Sequence, residues 1–450
     1  FGLVMAAADS DSLGVIGALL MIAVGALTLF FVRKNENLEW NERFAAHILC
    51  WTFIAKGIGN SMTDSVIARY ETGDIGLGGV WQFEMALMWG TDYLFSCGMI
   101  LLAMVFPVPI TRTKKQFKIG CGLVLLLVLI RLTLLLVGEP ITVFELPGLS
   151  YLVCGLIWGS VYAKFRLDEN LRSRESSKNI ANIAGLLVLF QFGHIWFSWP
   201  GLLLRSEYFY NFDLWLFFSS NLTNFVWQSS YAFAIGTGFF ILGMEIWCAN
   251  KGRASMLTYV IITYFSLGLI GYSILGSDAQ GFWYTGSKGL SELWNTLTSS
   301  MHFTMMRPMI GMYIIMRYGL FETTPEMKPR AKIMVIILIV IATSAFLELV
   351  QAILPIPDMF SAALLGILVA IGIGWEEKSF DALMDSSSEV RKGHDPRWFP
   401  ELIIPRSSFV LLDRSLLVLI VSVIFIAFLQ WQTDAIYNLA AERMGMEGYF

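Results

Sequence analysis

Residues 300–317 read Ser-Met-His-Phe-Thr-Met-Met-Arg-Pro-Met-Ile-Gly-Met-Tyr-Ile-Ile-Met-Arg. The stretch is apolar enough for a lipid bilayer, yet it holds His302 and Arg307, with Pro308 beside the arginine. An arginine at the centre of an apolar helix costs about 2.5–3.5 kcal/mol on insertion scales and requires partners. Proline lacks an N–H and frees a carbonyl one turn back, which a membrane tolerates only against protein or water. This helix is therefore expected inside a bundle, with other helices supplying acids to it.

The rest of the chain agrees with a membrane setting. Of 450 residues, 56% are hydrophobic and 15% charged, against roughly 25% charged in soluble domains. The mean hydropathy is +0.64. Many apolar runs approach or exceed about 18 residues, the length of a spanning helix. The expected class is all-α: a polytopic integral protein of the cell membrane, one transmembrane bundle over 1–450 whose main surroundings are the lipid bilayer. The balance of charge offers nothing to nucleic acid. Cys50, Cys97, Cys121, Cys154 and Cys248 all fall in or beside apolar runs without a Cys-x-x-Cys pair. They read as small core residues. Phe1–Asp9 reads as the tail of a signal h-region before a small-residue cleavage site, or as a fragment lacking its first residues.

Hydropathy places twelve spans at 12–33, 44–68, 80–106, 117–137, 147–165, 179–204, 218–247, 254–276, 291–317, 331–354, 358–375 and 409–431. The second is the least apolar, because it holds Lys56, Asn60 and Asp64. Lys and Arg cluster in connections after odd-numbered spans, such as Arg33–Arg43, Arg112–Lys118 and Arg166–Lys178. Connections after even-numbered spans carry at most one. Positive charge stays on the cytoplasmic side, so both termini are expected outside. The longest connection, 376–408, then lies in the cytoplasm between the last two helices. Its charged segment Glu376–Asp385 and its Trp398-Phe399 pair before Pro400 suit docking of a cytoplasmic protein partner. Tryptophans at span ends, among them Trp40, Trp199, Trp247 and Trp294, read as an aromatic belt.

Catalytic signatures are missing: no Gly-rich phosphate loop, His-Glu-x-x-His or Gly-x-Ser-x-Gly occurs. An enzyme is the reading ranked last, and nothing calls for a cofactor or a metal. His194 and His302 on different helices suit haem or metal ligation, but they read first as hydrogen-bonded interior residues, since neither has a second ligand one turn away. The stronger signal is the ionisable set inside spans. Lys56, Asn60 and Asp64 share a face, as do Glu84, Met88 and Asp92, then Thr298 and His302, then Ser344, Glu348 and Gln351. Arg131 and Arg307 add bases. Charges in lipid must pair or line water. A polar cavity open to the outside is expected, lined by Lys56, Asp64, Asp92, Arg131, His194, His302, Arg307 and Glu348. Trp196, Trp199 and Pro200 form its lid, and Asp92 pairs with Arg307 on grounds of equal depth.

Two stretches carry a resemblance. The third span ends Met99-Ile-Leu-Leu-Ala-Met-Val-Phe-Pro107 before a basic loop. The ninth ends Ile314-Ile-Met-Arg-Tyr-Gly-Leu-Phe-Glu-Thr-Thr-Pro325. Both resemble the cytoplasmic helix ends of the seven-helix membrane sensor modules at the N-terminus of many prokaryotic histidine kinases. Here more helices lie between the two stretches, three more follow, and no kinase core, phospho-acceptor region or ATP site lies within the chain. The resemblance implies sensing of a small-molecule ligand at the outer side, with signal output on another chain or lost. The expected function is a sensor-like membrane protein. A secondary solute transporter is the alternative, followed by a structural subunit of a membrane complex.

Overall fold

The computed structural model describes residues 18–19, 21–34, 38–72, 80–111, 113–137, 146–167, 175–205, 222–275, 294, 298, 302, 306–317, 336 and 405–433. All regular elements among them are helical. In chain order these are α1 (21–34), α2 (Trp40–Thr72), α3 (Val80–Val105), α4 (Lys114–Val137), α5 (Leu146–Leu167), α6 (Glu175–Trp196), α7 (Trp199–Arg205), α8 (Leu222–Asn250), α9 (Met256–Leu275), α10 (Arg307–Arg317) and α11 (Arg406–Thr433). The all-α expectation therefore holds among the described residues. Six helices (α3, α4, α6, α8, α9 and α11) are long and apolar enough to cross a membrane. Helices also cover the second and fifth expected spans, with 33 residues in α2 and 22 in α5. The tenth and eleventh expected spans and the loop 376–408 lie outside the described residues, apart from residue 336 and residues 405–408, of which Arg406 onward already belongs to α11.

Local signals set several helix ends. Glu39 donates its backbone N–H to Glu42 Oε2 at the start of α2 (3.1 Å), a side chain reaching back to an otherwise orphaned amide. Thr113 Oγ1 accepts from the Gln116 N–H and caps α4 (3.2 Å). At the end of α8, Gly252 adopts a φ of 70°. This left-handed turn suits glycine and lets the Arg253 N–H reach back to Cys248 O (2.9 Å). The sixth expected span, 179–204, is broken. α6 stops at Trp196, the Ser198 N–H turns back to Ile195 O (3.0 Å), and α7 starts anew at Trp199. Pro200 is the physical reason, since it has no N–H to continue α6 but fits the first turn of a new helix.

The chain divides into two compact units. The first contains α1 to α4 and α11, and the second contains α6 to α10 with nearly all of α5. In the first unit, α2, α4 and α11 all pack on α3. α4 and α11 are its peripheral members, each with 28% of its apolar window buried. α1 meets α2 through glycine. A Cβ on Gly25 would stand 2.8 Å from Cys50 O, and one on Gly57 would stand 2.7 Å from Ala18 O. Both clashes are with backbone, so the two helices approach as closely as only small residues permit, the usual means of helix association in lipid. In the second unit, α6 is central, with 94% of its apolar window buried, and α8, α9 and α10 pack against it.

Gly25→Ala should force α1 and α2 apart and lower stability by about 1–3 kcal/mol, the usual cost of overpacking. Gly122→Ala on α4 meets nothing within 4 Å and should be neutral or stabilising. Thermal unfolding of the two variants in mild detergent checks the contrast.

Candidate functional site

The last turns of α6 carry Phe190, Gln191, Gly193 and His194, and the candidate residues of the second unit converge there. The His194 and His302 rings lie 5.7 Å apart between centroids, inclined at 38°. His194 Nε2 faces the Tyr151 hydroxyl of α5 at 3.4 Å. His302 Nδ1 faces the Tyr264 hydroxyl of α9 at 3.0 Å. Arg307 donates from Nε to Phe190 O (2.8 Å) and from Nη2 to Gln191 O (3.2 Å). Gln191 Nε2 in turn reaches Ser150 Oγ on α5 (3.3 Å).

Gly193 makes this packing possible. A Cβ there would come within 2.5 Å of His302 Cε1 and 2.8 Å of Tyr264 Cε1. The histidine ring thus lies against bare backbone of α6. His302 sits in a locally wider winding, since the described positions 298, 302 and 306 are π-helical. Such turns recur at functional sites. His194 and His302 are 1% and 0% exposed and Arg307 is 6% exposed, so the cluster is closed from solvent. Trp196 and Trp199, expected as a lid, are tied down by hydrogen bonds to Ala234 O (3.0 Å) and Phe265 O (3.1 Å). Chemically the cluster offers one fixed cation, two imidazoles and two phenol hydroxyls. That set suits a small ligand rich in hydrogen-bonding oxygens, above all an anionic one. Among the described residues no group of three His, Cys, Asp or Glu could hold a metal ion.

Lys56, Asp92 and Arg131 belong to the first unit. Lys56 on α2 pairs with Asp92 on α3, and their side chains are 19% and 39% exposed. The neighbouring Tyr93 accepts a hydrogen bond from Arg131 of α4, whose guanidinium carbon also stands 4.0 Å from the Tyr93 ring centre. Asp64 lies on α2, but its side chain is outside the described residues, as is all of Glu348. Asp92 and Arg307, expected as a pair, belong to different units. Asp92 is held by Lys56, and Arg307 by two carbonyls of α6. Depth along a helix says how far a residue lies from the surface, but not which helix stands beside it.

Two further polar clusters were missed. Glu245 of α8, 0% exposed, receives the Tyr162 hydroxyl (2.6 Å), Arg166 (2.8 Å) and the Thr258 hydroxyl (2.5 Å). Asp413 of α11 receives Arg33 Nε (2.8 Å), His47 Nδ1 (2.5 Å) and the Trp51 N–H (3.2 Å). One signal was available: Tyr162 and Arg166, like His47 and Trp51, are four residues apart and share a helix face. No family model matches the chain, and no curated protein or solved structure matches it either.

Lys56→Met and Asp92→Leu should each destabilise the protein, and the double variant should recover part of the loss. A coupling energy of about 0.5–3 kcal/mol is expected for residues in contact. Melting in detergent across the double-mutant cycle checks this, and strictly additive losses would refute the pair.

Proposed function

We propose that this chain is a multi-pass sensor of the cell membrane that binds a small anionic or strongly polar ligand from the outer side. The pocket is formed by Tyr151, His194, Tyr264, His302 and Arg307, here in its closed form. The observation that carries the reading is the convergence of two buried histidines, two tyrosine hydroxyls and an arginine on the glycine-flattened end of α6. Buried polar groups of this number are costly in a membrane and by default mark function. The Lys56–Asp92 pair of the first unit remains partly exposed and on this reading faces water, because an ion pair does not face hydrocarbon. The resemblance to sensor modules supports the same function.

The topology of this proposal is twelve spans with both termini outside. Arg33 and Arg166, two of the loop charges behind it, are engaged by Asp413 and Glu245. Acids contribute little to charge-determined orientation, so the alternation of basic loops keeps its meaning. The segment 376–408 is then the longest cytoplasmic connection and the one open to a cytoplasmic partner. A secondary solute transporter is the second reading. The break between α6 and α7 favours it, since interrupted helices build the substrate sites of many transporters.

Purified protein screened against small carboxylates, phosphates and amino acids should show a ligand-dependent rise in melting temperature. His302→Ala and Arg307→Gln should each reduce the affinity for that ligand at least tenfold while retaining a cooperative melt. An unchanged response in both variants rejects the pocket. Flux of the same ligand into proteoliposomes separates transporter from sensor.

A protease added to sealed, right-side-out cells should remove a tag placed after Phe450. Cleavage only after permeabilisation overturns the twelve-span topology.

A further inference from the structure

We propose that the basic end of the first unit, where α4 and α11 begin, binds the headgroup of an anionic phospholipid. Four contacts bring these helix starts to one end of the unit. Phe117 of α4 meets Trp40 and Phe44 of α2 edge-on, with centroids 5.6 and 4.9 Å away. His47 of α2 stacks on Phe409 of α11 at 6.0 Å. Arg43 of α2 stands 5.5 Å from the same Phe409 ring. α4 and α11 also contact each other directly.

This end is strongly and openly basic. Lys114, Lys115 and Lys118 on α4 and Arg406 and Arg414 on α11 are all exposed. Among the described residues, Lys114, Lys115, Lys118 and Arg414 make no ion pair. Among the acids at this end, Glu39 is exposed just before α2. Glu42 and Asp413 are buried, and Asp413 is committed to Arg33, His47 and Trp51.

The surface beside the charges identifies the ligand. On α4, Lys115, Ile119, Leu123 and Leu126 recur at helical spacing on one face, and the three apolar residues are 53%, 57% and 51% exposed. On α11, Arg414, Val418, Val421 and Phe425 do the same, with the apolar members 61%, 55% and 58% exposed. Lys115 to Leu126, and Arg414 to Phe425, each span about 16 Å along a helix. That reaches the depth of hydrocarbon in one leaflet, about 15 Å, and exposed apolar residues continue to Leu129 on α4 and Phe428 on α11. A cationic rim above one leaflet's depth of bare apolar surface, repeated on two touching helices, matches the two ends of an acidic lipid. A soluble phosphate would use only the rim. A protein partner would leave the depth match unexplained.

The test uses the full chain in nanodiscs of phosphatidylcholine, alone or with added phosphatidylglycerol, and reads retained lipid by native mass spectrometry. Wild-type protein should hold phosphatidylglycerol preferentially. Lys115→Gln, Lys118→Gln and Arg414→Gln, singly and combined, should each weaken retention about fivefold per residue, from the typical contribution of one basic side chain at a charged membrane surface. Lys115→Arg with Lys118→Arg should restore it, which separates lost charge from lost fold. Neutralising Lys251 and Arg253, exposed on the α8–α9 turn, should leave retention unchanged. Equal retention by wild type and the combined neutral variant overturns the proposal. So does an equal loss in the Lys251/Arg253 variant, or competition by inorganic phosphate alone at comparable concentration.

Discussion

A charge that leaves water inside a membrane protein must be met from every side, and Glu245 shows how far that requirement reaches. Its carboxylate is fully buried. It draws Tyr162 and Arg166 from α5, and Ser255 and Thr258 from the start of α9. Arg166 is then held further by Asn182 of α6 (2.7 Å). Four helices are thereby tied at one end by a single anion. The effective penalty of burying such an ion is several kcal/mol, and it is offset only when geometry is good and the remaining lone pairs are satisfied. Here both oxygens are occupied. Replacing the whole pair by apolar groups is often tolerated in proteins, whereas losing one partner leaves a buried charge uncompensated. The network therefore fixes the mutual positions of these helices more than it adds net stability. The Asp413 cluster repeats the logic in the first unit, joining α1, α2 and α11.

How much of this was legible in the sequence depends on what each signal measures. Hydropathy reports the number of apolar residues in a row, so the helices α3, α4, α8, α9 and α11 emerge near their expected bounds. It is blind to a local break inside an apolar run, and so the expected span 179–204 hid the interruption before Trp199 despite the visible Pro200. Counting Lys and Arg as loop charges concealed the ion-paired roles of Arg33 and Arg166. Both stand at helix ends, where a long side chain can reach back to a buried acid. Asp413 and Glu245 escaped notice because their partners stand on other helices. Sequence periodicity finds same-face neighbours but no cross-helix ones.

The candidate site shows the same division. Residue type correctly singled out His194, His302 and Arg307 as costly in lipid, and they do gather at one place. The partners described for them include two tyrosines and two backbone carbonyls, none of which carries a charge that a search for acids would register. Of the eight expected ligand residues, Lys56, Asp92 and Arg131 belong to the first unit, and His194, His302 and Arg307 to the second. Gly193 is the least conspicuous contributor and sets the geometry of the second group, because its missing side chain is occupied by the His302 ring.

The glycine contacts of α2 have a dynamic consequence. Gly57 faces the backbone of α1 at Ile22 and of Ala18 just before it, while Gly59 faces Thr91 of α3, and Gly98 of α3 receives the methyl group of Thr52. α2 is thus gripped on two sides at nearly the same height, with backbone contacts flanked by the Ile22 and Ile54 side chains. Helices in such contact slide or rotate past one another only by first separating. Any large movement of this unit must therefore carry α1, α2 and α3 as one rigid body, with the Lys56–Asp92 pair travelling inside it. Relative displacement is left to the peripheral helices α4 and α11, whose apolar windows are only 28% buried.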